Sequence, residues 1–103
     1  MTALNITSKN FNKEIMESNK PVLIDFFATW CGPCKMVSPV IDQIAAEHTD
    51  IKVCKINIDE QSELASSFGV MSIPTLVALK DGKEISRTVG AVPKGSILKM
   101  FDK

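Results

Sequence analysis

The stretch Val22-Leu23-Ile24-Asp25-Phe26-Phe27-Ala28-Thr29-Trp30-Cys31-Gly32-Pro33-Cys34 is an apolar run broken by one carboxylate and closed by two cysteines with two residues between them. A short apolar run rich in branched and aromatic residues reads as a strand buried on both faces. The Cys-Gly-Pro-Cys segment falls where such a strand hands over to a helix. Residues three apart on a helical turn have side-chain roots roughly 5–6 Å apart, and a disulfide needs α-carbons roughly 4.4–6.8 Å apart. Cys31 and Cys34 can therefore bridge or separate without refolding the rest of the chain.

Working outward, Leu4-Asn5-Ile6 reads as a short strand, and Thr7 or Ser8 can cap a helix with apolar positions Phe11, Ile15 and Met16. After the cysteines, Val37, Val40, Ile41 and Ile44 fall at i, i+3, i+4 and i+7, one face of a helix to about Glu47 that Pro39 should kink. Residues 51–58 alternate as a strand. Asp59 can cap a short helix carrying Leu64 and Phe68, which Gly69 can stop. Residues 75–80 form a further strand, Asp81-Gly82 is a hairpin signal, and residues 84–89 return. Pro93 opens a last helix with Ile97, Leu98 and Phe101. The order β-α-β-α-β-α-β-β-α predicts an α/β fold, a mixed sheet with helices on both faces.

The chain has 103 residues, twelve basic and twelve acidic side chains, and three cysteines. This length fits one domain over residues 1–103, with roughly two-thirds of the unfolded surface buried and no staple needed. Charges are scattered singly, so nothing points to nucleic acid. No stretch approaches the ~18 apolar residues of a membrane span. The start, Met1 to Ser8, has neither a basic leader nor an apolar core of a signal peptide. The expectation is a soluble, cytoplasmic monomer. Three cysteines are too few for a secreted disulfide framework, so in a reducing compartment the Cys31–Cys34 pair points to catalysis or metal binding.

The thiolate is the nucleophile of disulfide exchange, and a helix N-terminus favours it. Cys31 at the helix start is expected to be the exposed attacking thiolate and Cys34, one turn inside, the buried resolving thiol. Gly32 lets another backbone approach the sulfur. Pro33 suits the first turn and removes an amide donor, which favours a reducing dithiol. Asp25, buried in its strand, should have a raised pKa. It can serve as a base for Cys34 through a water or belong to a structural ion pair, and Lys55 on the neighbouring strand is the natural partner.

Taken together, Asp25 to Lys35, Pro39, Lys55-Ile56-Asn57-Ile58-Asp59, Ile73-Pro74-Thr75, Asp81-Gly82 and Val89-Gly90-Ala91 closely resemble the thioredoxin family over essentially the whole chain. The resemblance implies the thioredoxin fold, a central mixed five-stranded sheet flanked by four helices. It implies a thiol-disulfide oxidoreductase that reduces protein disulfides through Cys31 and Cys34 without a bound cofactor, recharged by a thioredoxin reductase using NADPH. Implied targets are ribonucleotide reductase, peroxiredoxins and methionine sulfoxide reductases. It also implies that Asp25 and Lys55 assist proton transfer and that Pro74 is a cis-proline facing the cysteines. Trp30, Gly32, Pro33, Ile73, Pro74, Gly90 and Ala91 would then form the contact surface for an incoming peptide.

Position 27 is Phe where many members carry a second Trp, and Cys54 is an additional cysteine. Alternation puts Cys54 on the opposite sheet face from Lys55, where it reads as a small buried hydrophobe. His48 reads as a helix-terminal residue, Lys35 as a solvated charge, and Met36, Met71 and Met100 as packing. Three rival functions remain in view. Cys31, Cys34, Cys54 and His48 count to a zinc set, but only one pair has ligand spacing. A non-catalytic binding module would keep its role without the thiols. A disulfide isomerase or oxidase is disfavoured by the Gly-Pro pair.

Overall fold

A computed structural model describes residues 3–102. Five strands form one mixed sheet in the spatial order β1-β3-β2-β4-β5. They are β1 (Leu4–Asn5), β2 (Val22–Phe27), β3 (Lys52–Asn57), β4 (Thr75–Lys80) and β5 (Lys83–Val89). β1 and β2 both pair with β3 in parallel, whereas β4 runs antiparallel to β2 and to β5. Helix α1 (Gly32–Glu47), helix α2 (Ser62–Ser67), helix α3 (Lys94–Lys99) and a π-helical segment (Asn12–Met16) make up the four expected helices, and a 3-10 turn (Met100–Asp102) extends α3.

The central strands are apolar because both of their faces are covered. Ile24 and Phe26 point into one core with Ile15, Cys54, Ile56 and Val77, closed by Ala65 of α2. Phe68 packs at the edge of that core, its ring 5.2 Å from the ring of Phe26. Leu23 points the other way, into a second core with Val37, Ile41 and Ile44 of α1, Leu76 of β4 and Ile97 of α3. Period-two alternation along β2 thus feeds two separate cores. The α1 stripe expected from Val37, Val40, Ile41 and Ile44 is the face that docks; Val40 packs at its margin. The helix continues through Pro39, which has no amide to offer the Lys35 carbonyl.

Two helix starts differ from the sequence expectation. The Thr7 hydroxyl accepts from the Lys9 amide, but regular helix begins only after Phe11. Asn10 competes for the same turn by accepting the Thr7 amide. Asp59 does not cap α2, whose N-cap is Gln61. Asn57 Oδ1 accepts the amides of both Asp59 and Glu60, an Asx-type turn that leaves the Asp59 carboxylate free for another role. At the hairpin, Asp81 (φ 52°) and Gly82 (φ 76°) are both left-handed, as a type I′ turn between twisted strands requires. Met100 is buried as expected, but Met36 and Met71 are 72 % and 96 % exposed and do not pack. Met36 lies off the apolar stripe of α1, and Met71 sits in the loop before Ile73.

Phe26 is fully buried at the centre of the first core. Phe26→Ala is expected to lower unfolding free energy by about 3–5 kcal/mol, read from the urea midpoint at unchanged slope.

Candidate active site

Residues Ala28 to Cys34 carry the chain from the C-terminal end of β2 into α1. Cys31 is the N-cap of the helix, in extended conformation (φ −93°, ψ 115°). Its sulfur accepts the Cys34 amide at 3.2 Å, one of the donors that a helix start leaves without an intrahelical partner. The same sulfur lies 3.9 Å from the Ile73 carbonyl oxygen. The Ile73–Pro74 peptide is cis, as the resemblance implied. Cys31 and Cys34 are joined as a disulfide with α-carbons 5.3 Å apart, inside the range that their spacing predicted.

Exposure does not separate the two cysteines. Cys31 is 5 % and Cys34 4 % exposed, so the expectation of an exposed Cys31 is corrected for the disulfide state. Ala28, Phe27, Ile58 and Ile73 pack around the bonded pair. The distinction lies in surroundings. Cys31 is bordered by exposed Trp30, Gly32 and Pro33, whereas Cys34 lines an open cavity of about 290 Å³ together with Asp25, Phe27, Lys35, Ser38 and Lys55.

The expected contact surface is mostly present. Trp30, Gly32, Pro33 and Ala91 are exposed, and Ile73 and Gly90 are half-buried. Pro74 is buried, so the surface there is offered by Ile73. The Pro74 carbonyl is occupied in any case, accepting the Gly90 amide at 2.8 Å. Gly90 has φ +97°, a backbone state that side chains resist. A Cβ at Gly32 would meet nothing within 4 Å, so space beside the sulfur is open. The Trp30 indole donates to Asp59 Oδ2 at 2.8 Å. Sequence reasoning gave Asp59 a capping role and missed this one.

Asp25 and Lys55 stand opposite one another in the parallel register of β2 and β3, so both face α1. They form no ion pair with each other, which was the structural alternative to a role for Asp25 as a base. The Lys55 ammonium donates to Ser38 Oγ and lies 3.6 Å from Asp42 Oδ1. Among the described residues, Asp25 Oδ1 is buried without a hydrogen-bond partner. Burial raises the Asp25 pKa from its ordinary 3.8 to about 7; the Lys55 charge opposes the rise and the Asp42 charge adds to it. Ser38 and Asp42 were legible only as spacing, since Cys34, Ser38 and Asp42 recur at four-residue steps along one helix face.

Cys54 is fully buried in the core on the far face of the sheet, and burial pushes its thiol up to about 12. That placement removes it from the zinc set. Among the described residues no three His, Cys, Asp or Glu side chains are grouped to hold a metal. His48 is the C-cap residue of α1, far along the helix from the cysteines.

A dithiol at a helix N-terminus, at the end of the central strand of a mixed sheet, defines a thiol-disulfide oxidoreductase. The thioredoxin family model matches residues 2–103. Thioredoxin 1 of Synechococcus elongatus is 50 % identical over 99 residues, covering 95 % of this chain and 92 % of that protein. The thioredoxin of Pyropia yezoensis is 45 % identical over 104 residues, covering 100 % and 97 %. Among solved structures, a mutant thioredoxin from Halobacterium salinarum NRC-1 superposes with a TM-score of 0.88 at 35 % identity, covering 98 % of this chain and 88 % of that one. The chain belongs to the thioredoxin family. Thioredoxins act through their own cysteine pair rather than a bound cofactor, and their partners are thioredoxin reductase and disulfide-bearing substrates. Among the described residues no helix is long and apolar enough to cross a membrane.

Two outcomes follow from this geometry. Iodoacetamide is expected to modify Cys31 of the native reduced protein within minutes and leave Cys54 unmodified; equal labelling, read by peptide mass, would contradict the burial. Between pH of about 4 and 7 the native state holds an Asp25 proton that the unfolded chain has released, so stability falls as pH rises through that window. Above it the buried carboxylate costs on the order of 4 kcal/mol. Asp25→Asn is therefore expected to be more stable than the parent at about pH 8, with the gap closing near pH 4, as measured by urea denaturation at both values.

Proposed function

We propose that the protein reduces disulfides of other proteins, with Cys31 as nucleophile and Cys34 as resolving thiol. The observation that carries the assignment is the Cys34 amide aimed at Cys31 Sγ at 3.2 Å, a donor that stabilises negative charge on that sulfur once the pair is reduced. The Cys31 thiolate attacks one sulfur of the substrate disulfide. A mixed disulfide forms and the second substrate sulfur leaves as a thiolate. Cys34 then attacks Cys31 Sγ, giving the Cys31–Cys34 disulfide and releasing the substrate as a dithiol. Two electrons pass from the protein to its substrate.

Asp25 accepts the Cys34 proton in the second step, directly or through a water in the shared cavity. The supporting observations are its place in that cavity and its pKa of about 7. A protonated Asp25 cannot act, so the resolving step slows as pH falls through that value. Lys55 sets the charge environment of Asp25. The incoming peptide lies on Trp30, Gly32, Pro33, Ile73, Gly90 and Ala91, with the backbone at Ile73 and the cis Pro74 fixing its path beside Cys31. Asp59 holds the Trp30 indole in place.

The pair is recharged by a thioredoxin reductase using NADPH, and its targets include ribonucleotide reductase, peroxiredoxins and methionine sulfoxide reductases. This reading places a single-domain monomer in the cytoplasm. It rests on family membership, because the site itself recognises backbone and apolar surface rather than one sequence.

Reduction of insulin with NADPH and a thioredoxin reductase tests the reading. The parent is expected to turn over, and Cys31→Ser to lose at least a thousandfold of the rate. Cys34→Ser should instead accumulate a covalent complex with substrate that dithiothreitol releases. An active Cys31→Ser variant, or no activity in a parent with titratable thiols, would reject it.

A further inference from the structure

The Lys55 side chain has the length and the register to reach Asp25, yet its ammonium is engaged elsewhere. It donates to Ser38 Oγ and sits 3.6 Å from Asp42 Oδ1. Asp42 is held in turn, its Oδ1 accepting the Ala3 amide at 3.4 Å. Ser38 is on the face of α1 that also presents Cys34, and it lines the same cavity as Asp25. Among the described residues, Asp25 Oδ1 is left without a hydrogen-bond partner.

We propose that Ser38 is a positioning residue for the resolving step: its hydroxyl holds the Lys55 ammonium toward Asp42 and away from Asp25, so that Asp25 keeps no ion-pair partner and stays open to the Cys34 proton. The proposal rests on the assignment of Asp25 as the proton acceptor. The charged and titratable groups facing Asp25 are Lys55 from β3 and Cys34, Lys35 and Asp42 from α1; β4, on the other side of β2, sets Leu76 opposite Asp25. Of the two groups that hold the ammonium, only Ser38 is uncharged. Removing its hydroxyl leaves every formal charge in place and changes the field at Asp25 through what Lys55 then does. Asp42→Asn would not separate the two, because the Asp42 charge acts on Asp25 directly.

The test compares the parent, Ser38→Ala and Ser38→Thr in the full reduced chain, following the Asp25 carboxyl carbon by NMR titration. An ammonium released toward Asp25 forms the close opposite-charge contact that lowers a carboxyl pKa by roughly one unit or more. The Ser38→Ala midpoint is therefore expected to fall by roughly one pH unit, and Ser38→Thr, which restores the hydroxyl, to return to the parent value. A role confined to helix packing would move neither. An unchanged or raised Ser38→Ala midpoint overturns the proposal, as does a Ser38→Thr midpoint that stays with Ser38→Ala. The pH dependence of the single-turnover resolving step separates this from the reading beneath it. If the Asp25 midpoint moves and the acid limb of the rate moves with it, both stand. If the midpoint moves and the limb does not, Ser38 still positions Lys55, and Asp25 is not the acceptor.

Discussion

The parallel, in-register pairing of β2 with β3 is the constraint from which the rest of the structure follows. It sets Asp25 beside Lys55 and Ile24 beside Cys54, so one residue of register would reverse which of these faces α1. It leaves the C-terminal end of β2 at the sheet margin, where the chain turns into α1 and caps it with Cys31. Ile58 extends the ladder by donating to the Phe27 carbonyl at 2.9 Å, which brings the Asn57 turn and Asp59 alongside Trp30. Both the cysteines and the residue that steadies the neighbouring indole are thus carried on the ends of two paired strands.

The same pairing forces a conflict between stability and chemistry. A carboxylate in the middle of a buried strand has, among the described residues, no hydrogen-bond partner for Oδ1, and a cost on the order of 4 kcal/mol is large against the ~5–15 kcal/mol by which domains are stable. The fold offsets it with two apolar cores, one on each face of the sheet. An Asp25–Lys55 ion pair would relieve the penalty but would also drive the carboxyl pKa down, away from neutrality. The ammonium engaged by Ser38 and Asp42 gives the intermediate outcome, in which Lys55 only partly opposes the effect of burial.

Where the sequence was legible, periodicity made it so. The alternation of β2, the stripe of α1 and the Asp81-Gly82 turn each follow from local sterics and burial, and each is where its residues placed it. The starts of the π-helical segment and of α2 were misread because other side chains organise those turns: Asn10 Oδ1 accepts the Thr7 amide, and Asn57 Oδ1 accepts the amides of Asp59 and Glu60. Capping signals are not additive when several small polar residues crowd one turn. The cysteine pair and Asp25 were visible as residue types in an informative context. Asp59, Ser38 and Asp42 were not, because their roles depend on side chains from other elements: the Trp30 indole for Asp59 and the Lys55 ammonium for the other two.

The asymmetry between the two cysteines is also tertiary. In the disulfide both sulfurs are covered almost equally, so burial alone cannot decide which one attacks. The helix start decides it in part, because among the described residues Cys31 Sγ receives a backbone amide, that of Cys34, and Cys34 Sγ receives none. The sheet decides the rest. Cys34 opens onto the cavity that holds Asp25, while Cys31 lies under the Ile73 carbonyl, bordered by the exposed Trp30, Gly32 and Pro33. A charge-stabilising donor therefore serves one sulfur and a proton acceptor the other. Two chemically identical side chains three residues apart acquire different work because β2 delivers them between a peptide-binding margin and a buried carboxylate.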